Sequence, residues 1–207
     1  MNAGKRAEAK GDLMRPTLIA LLVLFSLTLS GQAHAQSLQS AIQACDAAAV
    51  ETLLEQGADP NGGNPHNGLP IFDAISCIKP PQRLQMVRSL VSHGARVNER
   101  WVNDWNPLMF MLENEDLNDL EIATLLVDAG LDLNAKSDYL SGGRTALIMT
   151  ANEEKREIAK LLIQRGANVN QASRSGGTPL MAAAYYSEAE LVALLLSHGA
   201  EINASSQ

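Results

Sequence analysis

Few side chains in this sequence have the type and spacing that catalysis or metal binding requires. Cysteine occurs twice, at Cys45 and Cys77, and two sulfurs without a histidine at helical spacing make a poor metal site. His93 and His198 each directly precede a glycine that ends a leucine-rich run, where partial positive charge suits a helix dipole. The serines show no nucleophile-elbow pattern, and no phosphate-binding loop occurs. The sequence therefore predicts no catalytic residue, no metal, no cofactor and no small-molecule substrate.

The strongest signal is a five-residue pattern that begins with glycine, ends with asparagine and occurs five times. The copies are residues 57–61, 94–98, 130–134, 166–170 and 199–203, and their glycines are 37, 36, 36 and 33 residues apart. Each copy follows a pair of aliphatic residues. A fixed period in this range predicts a stacked array of small units instead of one globular core.

A second pattern marks the start of four of these units. Its copies are Leu69-Pro70-Ile71, Asn106-Pro107-Leu108, Thr145-Ala146-Leu147 and Thr178-Pro179-Leu180. Proline fits the first turn of a helix, and Asn106 or Thr178 can cap that helix. The later glycine can adopt the left-handed conformation that ends a helix. Each unit is therefore predicted to be helix, turn, helix, glycine stop and extended loop.

These motifs resemble the ankyrin repeat, in which a Thr-Pro-Leu-His start precedes a Leu-Leu…Gly-Ala-Asp-Val-Asn end. The resemblance covers Gln36 to Asn203 and is strongest from Thr178 onward. It implies an all-α solenoid of about five helix-turn-helix units. The predicted domain spans residues 36–207, with repeats at approximately 36–61, 68–98, 105–134, 144–170 and 177–203. Relative to the family spacing, extra residues fall at 78–83 and 114–118, where we expect the two helices of a unit to join, and in the loop after Asn134.

The N-terminal 35 residues have the pattern of a signal peptide. Four basic residues precede a mostly apolar run of 12 residues at 18–29, and Ala33-His34-Ala35 follows. This order predicts a signal peptide helix with cleavage between Ala35 and Gln36, and the run is short for a membrane span. The predicted location is the periplasm. An uncleaved segment that anchors the protein to the membrane is the alternative, and the membrane is otherwise not an expected partner.

The charge of the mature chain limits its partners. Cleavage after Ala35 takes four basic and two acidic residues from totals of 16 and 23, which leaves 12 and 21 and a net charge of −9. Such a surface repels phosphate backbones, so nucleic acid is not an expected partner. A protein with a neutral or basic surface is the expected partner.

The two cysteines are candidates for a disulfide, because an exported chain meets an oxidising compartment. On the ankyrin template, Cys45 and Cys77 both lie at the turn between the helices of adjacent units. Equivalent positions in neighbouring units are about 10 Å apart, farther than the usual Cα separation in a disulfide. A one-place offset and the insertion after Cys77 could close that gap. Two free buried thiols are the alternative.

The resemblance also implies where a partner binds, because ankyrin stacks grip proteins with loop fingers and inner helices. The fingers are residues 61–68, 98–105, 134–143 and 170–177. Interfaces favour Trp, Tyr and Arg, so the candidate binding residues are Trp101, Arg100, Tyr139, Arg174, Tyr185 and Tyr186. Trp101, in the middle of a finger, is the first choice. The predicted function is a non-enzymatic, periplasmic protein-binding scaffold. The alternatives are an inhibitor, immunity or assembly factor for an exported enzyme, and a membrane-tethered adaptor.

Overall fold

The computed structural model describes residues 37–63, 69–117, 119–138 and 142–204. In these residues the chain forms ten α-helices and no strand. The helices are α1 Leu38–Gln43, α2 Ala47–Glu55, α3 Pro70–Ile75, α4 Pro80–Ser92, α5 Pro107–Glu113, α6 Leu120–Asp128, α7 Ala146–Met149, α8 Arg156–Gln164, α9 Pro179–Tyr185 and α10 Ala189–Ser197. Consecutive pairs form five hairpins, which we call units one to five. The prediction of an all-α ankyrin-type solenoid is confirmed, whereas the predicted signal peptide lies outside the described residues.

In units three and five, the first helix begins at the cap that the sequence predicts. Asn106 accepts a hydrogen bond from the backbone N–H of Met109 at 2.9 Å, and Thr178 accepts one from Met181 at 3.2 Å. Both bonds satisfy N–H groups that have no partner within the helix. In unit two, Leu69 makes no side-chain cap, and Pro70 occupies the first turn instead.

The repeated glycines end the second helix of each unit. Gly57, Gly94, Gly130, Gly166 and Gly199 all have φ between 86° and 90°. An added Cβ at these positions would meet nothing within 4 Å, so backbone conformation, not space, selects glycine. The residue after each glycine then turns back to the helix, as in the 3.0 Å bond from the Ala58 N–H to the Leu53 carbonyl.

The hairpins stack side by side on one continuous core. First helices pack on first helices and second helices on second helices along the series. The same leucine of the second helix is completely buried in four successive units, at Leu90, Leu126, Leu162 and Leu195. The core that these residues share runs from Leu38 in unit one to Ala200 in unit five.

The repeated asparagine links each unit to the next. Asn98 donates from Nδ2 to the Gly130 carbonyl at 2.9 Å, and its Oδ1 accepts from the Asp132 N–H at 2.7 Å. Asn61 makes the same two bonds to the Gly94 carbonyl and the Arg96 N–H, and the two bonds recur at Asn170. The asparagine of the sequence pattern is therefore a bridge between neighbouring units.

The sequence spacing predicted the position of the insertion in unit two only partly correctly. We expected residues 78–83 at the junction between the helices, but α4 begins at Pro80 and has 13 residues, against nine in α2. The insertion therefore adds a turn to α4. Arg83 is buried in that turn and donates from Nε to the Cys77 carbonyl at 2.7 Å. Ile78 stays in the connecting turn and is 85% exposed.

Candidate protein-binding surface

The structure contains a disulfide between Cys45 and Cys77, which joins unit one to unit two. Their Cα atoms are 5.8 Å apart. Cys45 has φ of 53°, in the tight turn between α1 and α2. Ser187 occupies the same place of unit five and has φ of 60°, so this turn belongs to the repeat and is not imposed by the disulfide. The two Cα atoms are therefore closer than the separation of about 10 Å expected for equivalent positions in neighbouring units. The disulfide crosslinks the turns of units one and two.

Trp101 packs inward more than its place in a finger suggests. The ring is half-buried, and its centroid lies 5.1 Å from that of Phe72 and 5.6 Å from that of Phe110. Phe72 is completely buried in unit two, and its contact with Trp101 is edge-to-face, a geometry that stabilises aromatic pairs in a core. The ring therefore has a structural role between units two and three, and a contact with a partner stays a prediction.

The two candidate arginines both lie in loop fingers and make hydrogen bonds there. Arg100 donates from Nη1 to the Asp104 carbonyl at 2.7 Å and to the Lys136 carbonyl at 3.3 Å, so it connects two neighbouring fingers. Arg174 is exposed, and its backbone N–H donates to the Gly142 carbonyl at 3.1 Å. Tyr139 lies outside the described residues, as do Ala35 and Gln36 at the predicted cleavage site.

Tyr185 and Tyr186 are two candidates with strongly exposed side chains. They lie at the end of α9 and are 82% and 57% exposed. Their rings are perpendicular, with centroids 5.1 Å apart. Large aromatic side chains on a surface have apolar area available for a partner, and tyrosine adds a hydroxyl that can form a hydrogen bond.

A groove runs across units three to five beside these tyrosines. It consists of two adjoining cavities of about 710 and 390 Å³, which share Glu113, Arg144, Ile148 and Ala182. The larger cavity extends to Met181 and the fingers, and the smaller one extends to Tyr185 and Tyr186. We call this surface the groove. Its floor includes the half-buried Ile148, Met181 and Ala182, and the polar Asn152 and Lys155 also line the smaller cavity.

Charged groups lie at the side of this apolar floor. Arg144 Nη2 and Glu113 Oε2 are 3.4 Å apart, and both side chains are about 40% exposed. An exposed ion pair of this kind contributes little to stability, and both charges are accessible to a partner. Sequence reasoning did not select Glu113, although it occupies the same repeat position as Tyr185, seven residues after the first residue of its unit. Glu113 could have been selected from the sequence by this shared repeat position.

One carboxyl group elsewhere on the inner helices titrates unusually. Asp73 of α3 occupies the repeat position of Ala182 and accepts a hydrogen bond from Gln39 Nε2. Burial raises the pKa of Asp73 above its ordinary value, although the bond from Gln39 opposes this shift. The first two units therefore have a polar, half-buried inner face, unlike the apolar floor of the groove.

The described residues contain neither a candidate metal cluster nor a membrane-spanning helix. No group of three or more His, Cys, Asp or Glu side chains there is placed to hold a metal ion. None of the helices in that part of the chain is long and apolar enough to cross a membrane.

Comparison with known proteins agrees with the fold. A family model for ankyrin repeats, in three copies, matches residues 108–206, which carry most of unit three and all of units four and five. A search among curated proteins gives no match. Together with the five stacked hairpins, the family-model match supports an ankyrin repeat family protein. Ankyrin repeats are protein–protein interaction modules and are typically non-enzymatic.

Proposed function

We propose that this protein is a non-enzymatic scaffold of the periplasm that binds a protein partner in the groove of units three to five. One observation carries the proposal. Two exposed tyrosines and an exposed Arg–Glu pair line the same open groove as the apolar Ile148 and Ala182, and the groove extends to Met181. Interfaces are built in this way, from an apolar centre with aromatic anchors and a polar rim.

The mechanism is presentation of a preformed surface. Ile148, Met181 and Ala182 lie on inner helices whose other faces belong to the core, so the floor exists before the partner arrives. Tyr185 and Tyr186 have few rotatable bonds, and little side-chain entropy is lost when they are fixed. A rigid surface of this kind loses less free energy to ordering on association than a flexible one. Binding is therefore selective for partners that already fit.

The partner we propose is a protein with a neutral or basic surface and an accessible apolar side chain. The apolar side chain covers the floor of the groove. A chain whose predicted mature form has a net charge of −9 repels acidic surfaces and attracts basic ones. The groove is open across three units, which suits a protein segment better than an enclosed small molecule.

The periplasmic location is supported by the N-terminal sequence pattern and by the disulfide, because disulfides persist in oxidising compartments. Cell fractionation followed by intact-mass measurement of the purified protein tests it. We expect a periplasmic chain that begins at Gln36. A chain that begins at Met1 and sediments with membranes would instead support the tethered adaptor.

Binding in the groove is tested by capture of partners from a periplasmic extract. The bait variant is Tyr185→Ala with Tyr186→Ala, and the matched control is Ile78→Ala, which removes an exposed side chain from a distant turn. We expect the specific partner to be retained by the wild type and the control, and lost from the double variant. Equal capture by all three would show that the groove is not the binding surface. Trp101→Ala is less suitable, because it also removes a core contact.

A further inference from the structure

The residue that precedes the second helix differs in unit four from its equivalents in the other units. Asp46 and Asp119 cap α2 and α6 by accepting hydrogen bonds from backbone N–H groups. Glu188, before α10, is buried and forms an ion pair with unit four. Lys79, before α4, is exposed. Lys155, before α8, is the exception, because it is a buried cation.

The charge of Lys155 has no counterpart in the described part of the chain. The residue is 8% exposed, and its side chain makes no hydrogen bond or ion pair with the described residues. Lysine is almost never buried to this extent unless its charge is paired, because an unpaired buried charge is costly. The positive end of the α8 dipole lies at the same place, and no side chain caps this helix. A negative group beside Lys155 would therefore relieve two unfavourable interactions.

Lys155 borders open space. It lines the smaller cavity of the groove, of about 390 Å³, together with Asn152 and the two tyrosines. Asn152 Oδ1 is buried and has no hydrogen-bond partner among the described residues, and an amide can turn either its oxygen or its nitrogen towards a ligand. The carboxylate of Glu113 also lines this cavity, but it already contacts Arg144 at 3.4 Å. The cavity therefore has a cation and an amide that the described chain leaves unsatisfied.

We propose that the smaller cavity is a carboxylate-binding subsite, in which the Lys155 ammonium pairs with an aspartate or glutamate side chain of the protein segment bound in the groove. This inference rests on the proposed function and adds the chemical group that the partner presents there. An ammonium and a carboxylate form a charge-assisted hydrogen bond. A side chain is favoured over a chain end because the smaller cavity opens into the larger one, so that a segment can pass over both.

The subsite is compatible with a partner whose surface is neutral or basic as a whole. The net charge of −9 of the predicted mature chain acts on the approach of the partner, whereas local charges decide the fit within the groove. The charged residues that line the smaller cavity are the cations Arg144 and Lys155 and the anion Glu113, so this cavity is locally positive. We expect the partner to present an acidic side chain next to an apolar one.

Removal of the charge gives a first test without any partner. Lys155→Met keeps the length of the side chain and removes the ammonium. Because the free protein holds this charge unpaired, the midpoint of urea unfolding should be equal to that of the wild type or higher. Lys79→Met, at the equivalent exposed position, is the matched control and should leave the midpoint unchanged. A clearly lower midpoint for Lys155→Met would show that the lysine supports the fold, and would overturn the proposal.

Selection from a synthetic random peptide library with free C-termini gives the second test. The wild type and Lys79→Met should select peptides that share an acidic residue next to an apolar one. Lys155→Met should bind these peptides at least about ten-fold more weakly, because one member of a buried charge pair is missing. Carbodiimide coupling joins an amine directly to a neighbouring carboxylate with loss of water. It should link Lys155 to an aspartate or glutamate side chain within the peptide, whereas linkage to the C-terminal carboxylate would assign the subsite to a chain end and contradict the proposal.

The outcomes separate this inference from the proposed function. If the variant with Tyr185→Ala and Tyr186→Ala loses the peptides but Lys155→Met binds them as the wild type does, the groove binds a segment without the charge pair, and only the inference fails. Selected peptides that share no acidic residue would also refute the pair. If the wild type selects no peptide, or if every variant binds equally, the proposed function fails together with the inference.

Discussion

Replacing Asn98 by alanine should uncouple unit two from unit three. The side chain donates to the Gly130 carbonyl at 2.9 Å and accepts from the Asp132 N–H at 2.7 Å. Each such bond contributes about 0.5–1.5 kcal/mol net. Because Asn98 is exposed and water can replace part of what is lost, we expect a loss of about 1–2 kcal/mol in the free energy of unfolding.

Asn203→Ala is the matched control for this variant. Asn203 ends the same repeat pattern in unit five, is exposed, and precedes no further described hairpin. Its replacement should change stability by less than about 0.5 kcal/mol, as for an ordinary surface substitution.

Urea unfolding followed by two signals distinguishes the variants. Fluorescence of Trp101 and Trp105 reports the contact between units two and three, and circular dichroism reports the whole array. We expect Asn98→Ala to lower the midpoint in both signals, and the fluorescence transition to occur first, since repeat arrays couple through neighbours. If Asn203→Ala were as destabilising as Asn98→Ala, the asparagine would act within its own loop, and the bridging role would be refuted.

Three further perturbations follow from the structure. Replacing Cys45 and Cys77 by alanine opens a crosslink over 32 residues, worth about 3–4 kcal/mol in the chain-entropy account; amide exchange should accelerate in α1 and α2, and equal acceleration in α10 would contradict a local clamp. Arg156→Met leaves the buried Glu188 without its 2.8 Å partner and should lower the free energy of unfolding by about 2 kcal/mol. Adding Glu188→Gln to this variant should restore most of the loss, and no recovery in urea unfolding would contradict the ion pair as the cause. Burial raises the pKa of Asp73 above its ordinary value of about 3.8. The protonated side chain therefore stabilises the fold fully only below about pH 3.8, and this contribution is lost as the pH rises through the folded pKa. Asp73→Asn should therefore be more stable than the wild type at pH 7 and equal to it near pH 3, and a gain independent of pH would contradict burial of the charge.

The sequence predicts the fold well because each repeated residue has a local physical task. Gly130 is needed for a left-handed backbone, and Thr178 caps the helix that follows it. Such tasks depend on neighbours in sequence and are visible without coordinates. The position of α4 was less predictable, since an insertion can either extend a helix or lengthen a turn, and burial of Arg83 decides between them.

The binding surface was predictable only in part. Tyr185 and Tyr186 were selected from sequence because they end the first helix of the last repeat, where ankyrin repeats commonly contact a partner. The structure leaves both side chains exposed. Trp101 has the same interface-forming chemistry, but Phe72 and Phe110 surround its ring, and that contact joins residues from three different segments. The floor of the groove was not found, because Ile148 and Met181 have the composition of a core. Only the structure shows that these two side chains are partly exposed, which distinguishes them from the residues of the core.

The central claim is that the stacked hairpins hold the groove free for a protein partner. Photo-crosslinking in living cells tests it most directly, with a photoreactive phenylalanine placed at Tyr185 or, as the control, at Ile78. The account predicts one discrete crosslinked protein from position 185 and none of that mass from position 78. Identical products from both positions, or none from position 185 while the protein is folded and exported, would contradict it.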